Sequence, residues 1–183
     1  MPALLELDTV LRDIEPPVWR RVRVPATATL GDLHRVLQLL FGWQNRHLHQ
    51  FTAFDGRPYV DRAVDPDAPE EAVDERDIAL LEVLPAVGDR LQYEYDFGDE
   101  WEVEVIRRDD AAAEREARPR VVEGARAGPP EGCGGPFEYD ELVAALADPA
   151  HLEHEELRDW VPPGFDPERF DPAALQAALE RLF

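Results

Sequence analysis

The sequence predicts an α+β fold, a mostly antiparallel or mixed sheet with hairpins packed against helices. Three observations lead there. From Leu91 to Val105 the apolar residues alternate in two blocks, Leu91, Tyr93, Tyr95 and Phe97, then Trp101, Val103 and Val105, around a Gly98-Asp99 turn. That is the period of two half-buried strands folded into a hairpin. Leu30, Leu33, Val36, Leu37, Leu40 and Phe41 recur instead at helical spacing, which predicts a helix with one apolar face. Three further helical pieces fill the C-terminal portion, 137–183.

Taken in order, Leu4 to Val10 is short and apolar, and Val18 to Val24 alternates, so two strands open the chain. Pro16-Pro17 marks their connection, because proline donates no ladder hydrogen bond and restricts the residue before it. Arg21 and Arg23 fall opposite the valines and read as a solvated sheet face answering the surplus of acids. Thr29 is placed to cap the helix that follows, with Asp32 at the third position, and Gly42 is placed to end it. His34 lies beside the apolar stripe and reads as a packed or half-exposed histidine. The strand-strand-helix-strand order also permits a β-grasp-like N-terminal core.

His47 and His49 stand two apart before a strand at Phe51 to Phe54. On an extended chain both imidazoles project from one face, a spacing that suits a divalent metal or a pair of hydrogen-bonding residues at a strand end. Asp55-Gly56 turns the chain into Arg57 to Val60. From Asp61 to Asp77 eight acids accompany Arg62, Arg76, Pro66 and Pro69, and this stretch reads as a solvated acidic loop. Leu80 to Leu84 is a short apolar run, and Gly88-Asp89 leads into the hairpin. Asp109 to Ala117 reads as an exposed helical turn or a loop. Gly124 to Pro136 holds too much Gly and Pro for a regular element and is expected to follow a fixed path. Helices are expected over Glu138 to Ala147, His151 to Trp160, and after Asp171, which caps the last one with Pro172 in its first turn. His151 and His154 read as a solvated face.

With 183 residues and 44% apolar content, the chain suits a single domain over 1–183. Nineteen basic residues against forty acidic ones give a formal charge of −21, so direct binding to a nucleic-acid backbone is not expected. The sequence contains no lysine and no serine. That removes the phosphate-binding loop, the Schiff-base lysine and every serine nucleophile. No apolar run is long enough for a membrane span, and Met1 to Asp8 lacks the basic flank and apolar core of a signal peptide, so a cytoplasmic protein is expected. The single cysteine, Cys133, forms no internal disulfide and agrees with a reducing compartment.

Val18 to Pro25, Leu33-His34 through Gly42-Trp43, His47 to Phe51, Tyr95 to Trp101, and Pro129 to Gly135 occur in that order. Together they resemble the plasmid Ri (pRiA4b) open-reading-frame-three-like family, also described as insertion-sequence passenger TnpR-like proteins. The resemblance implies an α+β domain and no established activity. The resolvase suggested by the second label would need a nucleophilic serine, which this chain lacks. It also implies a histidine where Val103 stands, cysteines near Val121 and Gly128, and an aspartate at Gly132. Only Cys133 is left of a thiolate-imidazole set, so a zinc site of that type is not expected here.

The candidate surface for a protein or small ligand comprises His47, His49, Asp96, Asp99, Trp101, Glu131 and Cys133. The favoured function is a non-enzymatic binding module associated with mobile genetic elements. Its alternative is a divalent-metal hydrolase of the phosphoester class, with His47, His49, Asp96 and Asp99 as candidate ligands. A cysteine enzyme built on Cys133 needs a nearby base and a lowered thiol pKa, which the sequence does not display. At the hairpin, the acids read as anchors for neighbouring loops rather than as catalytic groups.

Overall fold

A computed structural model describes residues 4–111 and 118–182. One eight-stranded sheet runs through it. In chain order its strands are β1 (Leu4–Leu11), β2 (Trp19–Pro25), β3 (His49–Ala53), β4 (Pro58–Val60), β5 (Val73–Asp74), β6 (Arg90–Tyr95), β7 (Trp101–Ala111) and β8 (Arg120–Ala125). They lie in the order β5-β4-β3-β6-β7-β1-β2-β8. Every pairing is antiparallel except β4 with β5. The helices are α1 (Leu30–Phe41), α2 (Leu80–Val83), α3 (Gly135–Ala147), α4 (His154–Trp160) and α5 (Pro172–Leu182). The α+β architecture and the mixed sheet are therefore as the sequence predicts. No helix among the described residues is long and apolar enough to cross a membrane.

Alternation sets the buried face. Leu5, Leu7, Thr9 and Leu11 of β1, Val22 and Val24 of β2, Leu91, Tyr93 and Tyr95 of β6, and Trp101, Val103 and Val105 of β7 are buried. Helix α1 packs its apolar stripe into this core, with Leu30, Leu33, Val36, Leu37, Leu40 and Phe41 all at 1% exposure or less. Its start is fixed by a capping box: Asp32 N donates to Thr29 Oγ1 at 3.2 Å and Thr29 N donates to Asp32 Oδ2 at 3.1 Å. Gly42 ends it in the left-handed region at φ 79°, where glycine avoids the Cβ clash.

Several expectations change. Strand β3 does not return to the β1–β2 hairpin after α1; it joins β6, with β6 and β7 lying between it and β1. The N-terminal elements therefore build no β-grasp-like core of their own. Asp109 to Ala111 continue β7, and Ala112 to Ala117 lie outside the described residues. Part of the Gly-Pro segment pairs as β8 against β2. The acidic stretch ends in structure: β5 is followed by a 3-10 turn, Glu75–Asp77, and Glu75 is buried. Arg21 answers acids as read, with Asp8 at 2.7 Å and Glu123 at 3.1 Å.

Two close approaches fix the Gly-Pro segment and the last helix. A Cβ on Gly128 would fall on the Phe41 carbonyl at the end of α1. On β8 the Val121 amide donates to Gln176 Oε1 of α5 at 2.9 Å. Gly128→Ala is therefore expected to cost about 2–3 kcal/mol or more through overpacking. Gly42→Ala meets open space and is expected to cost only the left-handed strain, about 1 kcal/mol. Urea denaturation of the two variants checks the ordering; equal losses would show that the loop moves away freely.

Candidate functional site

The hairpin tip is a turn held by its own acids. Asp96 adopts φ 58° and Glu100 φ 54°, and Asp96 Oδ1 accepts from Gly98 N at 3.1 Å and Asp99 N at 3.4 Å. Short polar side chains tolerate the left-handed region by bonding locally in this way. Asp96 N donates to Leu48 O at 3.0 Å, which ties the tip to the His47–His49 segment. Asp99 Oδ2 accepts from Gly134 N at 3.1 Å, which ties it to the Gly-Pro loop. A Cβ on Gly135 would lie 2.5 Å from the Asp99 carbonyl oxygen. Burial, and then the charge of Asp96, pushes the Asp99 carboxyl up.

Glu131 is the centre of the adjoining contacts. Tyr95 Oη donates to Glu131 Oε1 at 2.9 Å and accepts from Arg46 N at 3.0 Å, while Gln44 N donates to Glu131 Oε2 at 2.6 Å. Burial pushes the Tyr95 phenol up to about 12, so it remains a donor. His47 bridges the two acids, with Nδ1 3.3 Å from Asp96 Oδ2 and Nε2 3.5 Å from Glu131 Oε1. The structure thus brings His47, Asp96 and Glu131 together, with Asp99 serving the neighbouring loop.

His49 belongs to a different set. It is buried, its Nε2 lies 2.8 Å from Glu75 Oε2, and its ring stacks on His34 at 3.6 Å between centroids and 7° between planes. His34 in turn lies 2.9 Å from Tyr93 Oη and 3.0 Å from Asn45 Oδ1. Gln38 completes the network, donating to Tyr93 Oη at 3.0 Å and accepting from Asn45 N at 2.7 Å. A neutral His34 satisfies every partner, accepting from Tyr93 and donating to Asn45. Burial, and then the neighbouring His49, pushes its imidazole down to about 3.

Above these residues opens a groove of about 560 Å³. Its floor is the His34–His49 stack with Glu75, and its walls include Asp32, Arg35, Arg46, His47, Asp61 and Arg76. Glu75, Asn45 and Gln38 stand outside the residues expected from sequence to form a site, and Tyr93 is expected there only as a buried strand residue. Only Asn45 carried a local signal, as the chain's sole asparagine just beyond a helix end; it adopts φ 52°.

Trp101 is 1% exposed and meets Tyr139 edge-on at 6.3 Å, so it supports the hairpin from within the core. Cys133 is half-buried, and burial followed by the charge of Asp99 pushes its thiol up to about 12. That is the opposite of an activated nucleophile. Among the described residues no three His, Cys, Asp or Glu side chains are grouped to hold a metal ion. His154 is buried rather than solvated, its Nδ1 2.8 Å from Ala145 O.

The depressed His34 pKa makes stability depend on pH. The unfolded chain takes up a proton near pH 6.5 and the folded one only near 3, so the contribution is complete above about 6.5 and is lost as pH falls towards about 3, by up to about 1.4 kcal/mol per unit. His34→Gln is expected to lose less stability than the parent between about pH 7 and about pH 4.5, as read by urea midpoints; parallel losses would contradict it. A double-mutant cycle of Tyr95→Phe with Glu131→Gln is expected to give a coupling of about 1 kcal/mol, whereas additivity would show that the pair is idle.

A family profile described as Plasmid pRiA4b ORF-3-like protein matches residues 3–174. The chain is 39% identical to the uncharacterized protein y4hQ of Sinorhizobium fredii, over 86% of this chain and 80% of that one. It also resembles the crystal structure of a protein of unknown function from Methanosarcina mazei Go1, with a TM-score of 0.83, 31% identity, and coverage of 93% and 96% of the two chains. On these matches the chain belongs to the plasmid pRiA4b ORF-3-like family.

Proposed function

We propose that this protein is a non-enzymatic binding module that serves mobile genetic elements, with the groove over His34, His49 and Glu75 as its recognition site. The plasmid in the family's description supports the setting. One observation carries the binding reading: the polar side chains of the floor are already committed to one another, His34 to Tyr93 and Asn45, and His49 to Glu75. Such a floor is preorganised for recognition and spends no ordering entropy when a ligand arrives. The walls alternate in charge, with Arg35, Arg46 and Arg76 among Asp32 and Asp61. The fitting occupant is a small polar ligand, or a polar protein segment, with both donors and acceptors. A net charge of −21 argues against a nucleic-acid backbone as the partner.

Val64 lies on the groove's lining and is 59% exposed, so Val64→Trp obstructs the groove without touching its floor. Thermal-shift screening against free amino acids, dipeptides and nucleosides is expected to yield a binder that stabilises the parent and loses roughly tenfold or more in affinity with the variant. Equal binding by both proteins would move recognition elsewhere. Turnover of p-nitrophenyl phosphate with added manganese or zinc, abolished by His47→Ala, would replace the binding reading with the hydrolase.

A further inference from the structure

A second cavity, of about 300 Å³, lies where the end of α1, the β8 exit and the start of α5 meet. Its lining is apolar in the main, including Leu40, Phe41, Pro130, Phe165, Phe170 and Leu175, yet Arg20 also reaches it. Arg20 sits on the inward parity of β2 with Val22 and Val24 and is 2% exposed. Sequence parity alone could have singled it out, since its neighbours Arg21 and Arg23 point outward.

The environment of this guanidinium is unusual for a cation. Its Nε donates to Leu40 O at 3.0 Å, and its Nη1 donates to Trp19 O and to Ala125 O at 2.7 Å each. Phe41 and Phe170 flank it, at 5.5 Å and 5.1 Å from their ring centroids. Among the described residues no carboxylate pairs with it and Nη2 has no hydrogen-bond partner. The other arginines on the cavity do have acids: Arg126 has Glu168 at 2.8 Å and Arg169 has Asp171 at 2.8 Å. Asp166, on the rim, is exposed and accepts from Glu168 N. Nearby, Tyr139 is near enough to Arg20 and Arg126 to feel both charges, and its hydroxyl is buried without a partner among the described residues. Carbonyl dipoles offset part of the cost of burying a full charge, but a buried cation is ordinarily matched by an anion.

We propose that this cavity binds a small organic carboxylate with an apolar body, its carboxylate on Nη2 of Arg20 and its body between Phe41, Phe170 and Leu175. The volume sits at the lower end of small-molecule sites, which restricts the ligand to one ring or a short chain. Aromatic walls favour the flat body, and the charge-assisted bond to a guanidinium selects carboxylate over a neutral group. This site is separate from the groove over His34 and does not depend on it.

Phenylacetate and hexanoate are the probes, with phenylacetamide as the neutral control and inorganic phosphate as the anion without an apolar body. Calorimetric titration of the full chain is expected to show one site for at least one carboxylate, with phenylacetamide and phosphate roughly tenfold weaker or more. Leu175→Trp, which fills the cavity from the partly exposed face of α5, is expected to abolish binding, and Val64→Trp to leave it unchanged. Arg20→Met is expected to abolish carboxylate binding; if that variant does not fold, the Leu175→Trp result decides. Absence of binding by both carboxylates, equal binding of phenylacetate and its amide, or retention of binding in Leu175→Trp would overturn the proposal and leave Arg20 as a staple between α1 and the sheet.

Discussion

A phenol hydroxyl taken out of water costs free energy unless it finds partners, and the two tyrosines of β6 place that demand on the surrounding elements. Tyr93 Oη takes its partners from one face of α1, His34 and Gln38, and so sets where the helix sits across the sheet. Tyr95 Oη takes Arg46 N and Glu131, and so sets where the chain leaving α1 meets the Gly-Pro loop. Both side chains are fully buried. An unmade bond at either would cost about 1–3 kcal/mol, enough to make the arrangement of helix, connection and loop a single solution. The groove and the His47 contacts are both by-products of that solution.

Much of this was legible because it rests on period. The β6–β7 hairpin, α1 with its Thr29 cap and Gly42 stop, and α5 behind Asp171 each follow from apolar spacing and a terminal residue whose backbone role is local. The anchoring role of the hairpin acids was legible too, since Asp96 and Asp99 serve turns that the sequence already marks. What period could not supply was partnership across long separations. Nothing local tells that Glu75, inside an acidic run, leaves water to meet His49, 26 positions earlier. His47 and His49 share a parity, yet Leu48 is already half outside the sheet and the strand begins only at His49, so the two rings serve different sets. Strand β8 stayed hidden because Arg120 to Ala125 is short and mixed in character, and its pairing with β2 spans roughly a hundred residues of chain.

Charge also reads differently once partners are visible. Forty acids against nineteen arginines suggest a surface with acid to spare, and Arg12, Arg21, Arg23, Arg90 and Arg108 are indeed taken up by Glu6, Asp8 and Glu104 on the outer faces of β1 and β7. Arg20 and Arg107 break that pattern by sitting on inward parity. Arg107 brings Asp110 with it at 2.6 Å and binds Leu84 O, so its charge is met within the chain. Among the described residues Arg20 is met only by carbonyls and rings. In a protein so rich in acid, a cation left without one is held there by geometry.

The bond from Val121 of β8 to Gln176 of α5 has a consequence beyond the fold of one molecule. An outermost strand with free amides is a template for another chain, and long open edges lead to stacking of sheets between molecules. Here one margin of the sheet is shielded by α5, which supplies an acceptor to the margin itself, and the opposite margin, β5, is two residues long. A foreign strand would have to displace a helix on one side and would find almost nothing to pair with on the other. Among the described residues the sheet thus offers a further strand little free edge at either margin.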